Sequence, residues 1–313
     1  MKKIILILNL IIGIALFLYI SYSFMHHTYD FHAIISTLNY CNILLACFLY
    51  MLSHLLRSIR LVLLVNSDTI KTRSLIRMQY YTNGINLALP FKLGEIYRII
   101  ELNKLTGDII KSSLVIVSER LLDFLIIFAL LLVCLLSFNV IGEFRNLYFL
   151  TFLFLVIVYM IFFLLPENIS SIKLLLAKKY NLKMINKLLK IMDGFTILVK
   201  QTKNIYRKKF FTILLFTISI WALEILVFFI LFSQFNYEIL LFLGVLVFLS
   251  SLLPNGPIGV GGLQIAFYWI STLTSFDNYI ESSLLYILVI FMPAVAVTIL
   301  LYIDNFRRII LKK

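Results

Sequence analysis

Six apolar stretches, each about the 20 residues that a helix needs to cross a bilayer, dictate what this chain can become. They fall at about 4–24, 40–64, 112–137, 147–165, 210–233 and 282–303. Hydrophobic residues make up 62% of the 313 and the mean hydropathy is +1.02, well above soluble domains. The lipid is therefore the solvent for most of the chain. The formal charge of +13 would suit nucleic acid if it were clustered on a soluble face. It lies instead in the segments between apolar spans, which points to a membrane and away from nucleic acid.

Two stretches between the spans are broken. Residues 74–102 contain Pro90, flanked by Gly84 and Gly94. Residues 239–275 form two pieces, about 239–253 and 263–275, separated by P-N-G-P-I-G-V-G-G from Pro254 to Gly262. Neither piece is comfortably long enough to cross alone. Lysine and arginine set the orientation. With Lys2 and Lys3 inside, the segment 25–38 carries no basic residue, 166–209 carries eleven, and the tail adds Arg307, Arg308, Lys312 and Lys313. Only Arg145 of the 28 basic residues then falls outside. Both termini are expected in the cytoplasm, and the first apolar run, which has no small-x-small cleavage site after it, is read as a retained helix.

That orientation puts the Pro90 segment on the inner side between two spans, and the Pro254–Gly262 segment on the outer side between two others. The fold class expected is an all-α polytopic membrane protein with about six full transmembrane helices plus two broken re-entrant segments forming an inverted repeat. The break residues are Asn86, Pro90 and Gly94 on one side and Pro254, Gly256, Pro257 and Gly259 on the other. The plainer alternative is two proline-kinked helices. Residues 1–313 read as one domain with a basic cytoplasmic loop at about 166–209. Within that loop Leu182, Ile185, Leu188, Leu189, Met192 and Phe195 recur at helical spacing. They describe an amphipathic helix lying either on the anionic leaflet or on the protein.

Ionisable residues next to or inside apolar segments mark polar sites. Glu95 and Arg98 lie three residues apart just after the Pro90 break, and Glu119, Arg120 and Asp123 sit near the start of the third span, with Glu119 and Asp123 one turn apart on one face. Guanidinium groups at Arg98 and Arg120 suit phosphate. The three carboxylates would hold those arginines or meet an amine or sugar hydroxyls. Glu224, midway along the fifth span, is a candidate coupling carboxylate. The structural alternative makes these charges ion pairs that pin helices together. Arg57 and Arg60, at the inner end of the second span, read as snorkelling interface anchors, and His26, His27, His32 and His54 as ordinary residues. Cys41, Cys47 and Cys134 show no metal-ligand spacing with each other or with the histidines, so neither a disulfide framework, a metal nor a cofactor is expected.

The ordered motifs N-x-x-L-P-x-x-x-G-E-x-x-R (Asn86 to Arg98), E-R-L-x-D (Glu119 to Asp123) and L-P-N-G-P-I-G-V-G-G (Leu253 to Gly262) resemble the flippase-like family, also called the lysylphosphatidylglycerol synthase transmembrane-region family. The likeness covers essentially the whole chain. It implies movement of lipids or lipid-linked intermediates across the cytoplasmic membrane. Some members of the family carry a soluble aminoacyl-transferase, and nothing after Lys313 corresponds to it, so no synthase activity is expected here. Where the family often has an acidic residue after the second glycine cluster, this chain has Gln264.

The functional expectation is a translocator of a phospholipid or polyprenyl-linked glycoconjugate, working with membrane lipids, with polyprenyl-phosphate-linked intermediates and with envelope-biosynthesis enzymes. The alternatives are a membrane-embedded glycosyl- or phospho-transferase and a scaffold subunit of an envelope-assembly pathway. The absence of a G-x-x-x-x-G-K-[ST] motif leaves uphill transport to an ion gradient or a partner.

Overall fold

The structure is a computed structural model. It describes residues 39–67, 69–89, 93–137, 209–233, 235–250, 261–273 and 279–310, with isolated helical positions at 149, 152, 153, 156 and 157. The first expected span, the basic loop at 166–209 up to its last residue, with the amphipathic stretch from Leu182 to Phe195, and the outer breaks at Pro254, Gly256, Pro257 and Gly259 lie outside the described residues, as do Pro90 itself and nearly all of the fourth span. Among the described residues there are eight helices and no strand. They are α1 (Tyr40–Val65), α2 (Thr72–Ala88), α3 (Leu93–Thr106), α4 (Ile109–Ser137), α5 (Lys209–Leu231), α6 (Tyr237–Ser250), α7 (Gly262–Leu273) and α8 (Tyr279–Ile310).

Local chemistry sets the boundaries. Asn39 caps α1 by accepting the Cys41 amide at 3.0 Å, and Asn66 closes it in the left-handed conformation (φ 42°) with its amide on the Val62 carbonyl, as a polar residue tolerant of that conformation does. Leu89 leaves α2 for an extended conformation (φ −89°, ψ 132°); it precedes Pro90, whose ring disfavours helix in the residue before it. Gly107, at φ +70°, ends α3. Asp108 then starts α4 by accepting the amides of Ile110 and Lys111 at 2.9 and 3.1 Å. Gln264 accepts the Gly261 amide at 2.7 Å and so braces the start of α7.

Helices α1, α5 and α8 are long and apolar enough to cross a membrane, and α4 has 29 residues. The order long, short, short, long occurs twice, in α1–α4 and in α5–α8. Each half reaches into the other: α2 packs on α8, and α6 packs on α4. Gly84 allows the first of these contacts, since a Cβ there would collide with the Thr298 hydroxyl on α8. Gly94 likewise lets α3 lie against α2, because a Cβ would run into the Asn86 backbone. Large apolar side chains such as Leu44, Phe48, Phe211 and Leu215 face outward, where acyl chains would meet them.

The apolar interior is in two parts. One joins Ala46 and Tyr50 of α1 with Leu131 of α4, Phe228 of α5, Phe248 of α6 and Phe267 of α7. The other joins Leu61 and Leu64 of α1 with Leu75 of α2, Leu102 of α3, Val115 of α4 and Ile213 of α5. On α1 the stretch between them holds Ser53, His54, Arg57, Ser58 and Arg60; on α4 it holds Ser118, Glu119 and Asp123. A polar belt therefore crosses the bundle between two apolar layers.

Candidate functional site

The belt is a network of ion pairs. Arg60, 1% exposed, donates from Nη1 to Asp123 Oδ1 at 2.7 Å and from Nη2 to Oδ2 at 3.2 Å, the forked geometry that suits guanidinium to carboxylate. It also donates to Thr217 Oγ1 on α5 at 3.1 Å, and its Nε lies 3.7 Å from Glu119 Oε1. Arg98 on α3 donates to Glu119 Oε2 and to Gln79 Oε1, both at 2.5 Å. Arg120 pairs with Glu95 and lies 3.4 Å from Asp123. Arg57 donates to Glu224 Oε1 on α5 at 2.6 Å, stands 3.7 Å from Asp123 and stacks 5.2 Å from the centroid of the Trp221 ring. Ser53 Oγ also donates to Glu224 Oε1, at 3.1 Å.

All five charged residues that the sequence singled out near the Pro90 break thus come together, although Glu95 and Arg98 are only 3.8 Å partners of each other and Arg98 is held more closely by Glu119. Glu224 joins through Arg57. Asn86 and Gly94 meet where α2 turns into α3. One expectation is corrected. Arg57 and Arg60 are not snorkelling anchors; both are drawn into the bundle, because the carboxylates of α4 and α5 inside an apolar interior demand counterions that water cannot supply there. Arg57 and Arg60 stand at i,i+3 on α1 and Glu119 and Asp123 at i,i+4 on α4, spacings that allow the pairing without revealing it.

Four arginines (57, 60, 98, 120) and four carboxylates (95, 119, 123, 224) make the belt formally neutral. A cavity of about 210 Å³ adjoins it. Its lining combines charged residues, Arg57, Arg98, Arg120, Glu95 and Glu224, with apolar ones, Leu87, Val247, Phe248, Leu263, Ile287 and Ile290. His54, Asn83 and Trp221 line it as well; none of these was singled out from the sequence as a site residue.

Long apolar helices packed around a buried ionic belt are the build of a multi-pass membrane protein. The chain belongs to the lysylphosphatidylglycerol synthase transmembrane-region family: the family model described as "Lysylphosphatidylglycerol synthase TM region" matches residues 6–301. No curated protein and no solved structure gives a match.

Proposed function

We propose that this protein is a translocator of the cytoplasmic membrane, moving a phospholipid or a polyprenyl-linked glycoconjugate, with no chemistry of its own. The observation that carries the reading is the cavity beside the belt, whose lining combines guanidinium and carboxylate groups with apolar side chains. A charged headgroup cannot cross hydrocarbon without heavy desolvation cost; the charged residues of the lining supply partners for it, and the apolar ones suit a chain. Arg98 and Arg120 are the groups for phosphate, exchanging their carboxylates for the cargo. Glu95, Glu119 and Asp123 receive them again when the cargo leaves, and Glu224 is the carboxylate placed to couple the cycle to protons.

The same reading takes α2–α3 and α6–α7 as re-entrant pairs among six spans, with both termini in the cytoplasm. The crossed packing of α2 on α8 and of α6 on α4 supports an inverted repeat, because a two-fold relation between halves turns one contact into the other. Polyprenyl-phosphate-linked intermediates and the enzymes that make them are the partners this implies.

The test is lipid movement by purified protein in liposomes, using fluorescent phosphatidylglycerol and a short polyprenyl-phosphate analogue. Wild type moves at least one of them, and Arg98→Ala loses the movement while still folding. No movement of either cargo would favour the scaffold reading.

A further inference from the structure

Helix α8 runs unbroken from Tyr279 to Ile310 with Pro293 in its interior. Proline has no amide hydrogen, so the carbonyl four residues earlier, that of Val289, loses its helical partner. Val289 is 2% exposed, and a bare carbonyl in that interior is costly. The Cys47 thiol of α1 supplies the replacement, donating to the Val289 carbonyl at 3.7 Å. Neighbouring helices restore freed backbone groups in this way inside membranes. A thiol is a weak donor, so the ladder of α8 stays weakened at Pro293, the kind of position where helices bend.

The two sides of Pro293 hold different partners. Before it, Tyr286 stacks on Phe228 of α5, 4.4 Å between ring centroids, and Tyr279 meets Tyr268 of α7 at 5.5 Å. Leu285, Ile287 and Val289 belong to the apolar core shared with α5, α6 and α7. After it, Thr298 sits against Gly84 of α2, with its hydroxyl 3.4 Å from the Tyr80 carbonyl, and Arg77 of α2 donates to the Leu301 carbonyl at 3.4 Å. Helix α2 is therefore carried by the segment after Pro293. It takes α3 with it, since the two helices pack together and Gln79 of α2 accepts from Arg98 of α3 at 2.5 Å. Hydrogen bonds from Tyr80 to the Met51 carbonyl at 3.0 Å and from Asn83 to the Tyr50 hydroxyl at 3.5 Å tie α2 to α1, and these would part if α2 moved.

The cavity lies across this division. Tyr286, Ile287 and Ile290, before Pro293, line it, and so do Thr82, Asn83 and Leu87 of α2. A bend at Pro293 changes the space between the two sets. It also acts on the belt, because Arg98 and Glu95 of α3 pair with Glu119 and Arg120 of α4, and α4 packs on α6. We propose that Pro293 is a hinge: bending of α8 there moves α2 and α3 as a unit against α1 and α4–α7, enlarging the cavity and freeing Arg98 and Arg120 from their carboxylates. The hinge is a property of the fold, and only its use, admitting a headgroup to those arginines, rests on the translocator reading.

Pro293→Ala restores the amide that Val289 lacks and stiffens α8. The full chain is studied in nanodiscs, with Cys41→Ser, Cys47→Ser and Cys134→Ala removing its three thiols; serine keeps a donor for Val289. Spin labels are placed on cysteines at exposed positions. One pair spans the hinge, Ile100→Cys on α3 with Ile265→Cys on α7, and a control pair does not, Tyr237→Cys on α6 with Ile265→Cys. With Pro293 present, pulsed electron paramagnetic resonance is expected to give two distances for the spanning pair and one for the control. Pro293→Ala is expected to collapse the spanning pair to one distance and to slow lipid movement in liposomes about tenfold. A spanning pair no broader than the control, or one that Pro293→Ala leaves unchanged, overturns the hinge. Should Pro293→Ala fail to fold, the comparison of the two pairs with Pro293 present decides alone. Two distances that collapse, in a protein that moves no lipid with or without Pro293, keep the hinge and remove the translocator. Collapse to one distance with undiminished movement keeps the translocator and overturns the hinge's part in it.

Discussion

Arg60 lies among apolar helices, held by both oxygens of Asp123 at 2.7 and 3.2 Å and by Thr217 at 3.1 Å. Asp123→Asn keeps the shape and removes the counter-charge, leaving a guanidinium stranded in the interior. Breaking a buried pair from one side in this way costs about 3–5 kcal/mol, and a correspondingly lower unfolding temperature in detergent is the expected result. The exposed Glu101–Lys104 pair on α3, at 2.6 Å, is the control, because solvent screens it: Lys104→Ala is expected to leave unfolding unchanged. Equal effects of the two substitutions would mean that the Arg60 pairing is not a stabilising contact.

At the scale of elements, two glycines next to α3 make opposite demands. Gly94 sits against Asn86, where a Cβ would strike backbone, while Gly107 has open space but a φ of +70°. Gly107→Ala is expected to cost about 1 kcal/mol of backbone strain. Gly94→Ala must push α3 away from α2, and is expected to cost several times more and to reduce lipid movement as well, measured by thermal unfolding and the liposome assay side by side. Much of this level was legible from local chemistry. The apolar runs at 40–64 and 210–233 correspond to helices Tyr40–Val65 and Lys209–Leu231 and α2 ends at Leu89, just before the Pro90 break, whereas the Asn39 and Asn66 caps of α1 emerge only in the structure. The roles of Arg57 and Arg60 were not legible from position alone. An arginine near a helix end looks the same whether its head reaches water or a carboxylate on another helix, and only the packing of α1 on α4 and α5 tells the two apart. His54 and Trp221 were hidden for the same reason, since neither residue type in an apolar helix signals a cavity until the neighbouring helices enclose one.

For the whole molecule, the polar belt between two apolar layers joins the halves α1–α4 and α5–α8 through Arg57–Glu224 and Arg60–Thr217. The proposed orientation places the start of α1 at the outer surface. Cys41 is exposed there, Cys47 is half-buried and Cys134 buried, so a membrane-impermeant maleimide added to intact cells is expected to label Cys41; labelling only after permeabilisation would reverse the orientation. The central claim is that the belt serves passage of cargo and is not merely a pin between helices. Its most direct test is the Arg57→Gln/Glu224→Gln double variant, which removes both charges of the bridge between halves and strands neither, a change that buried pairs usually tolerate. Movement of fluorescent phosphatidylglycerol and the unfolding temperature are measured on the same preparation. The account predicts movement reduced by about tenfold or more, equivalent to at least ~1.4 kcal/mol in the barrier, with the unfolding temperature within about 4 °C of wild type. Undiminished movement by a stable double variant, or loss of movement only together with loss of the fold, would contradict it.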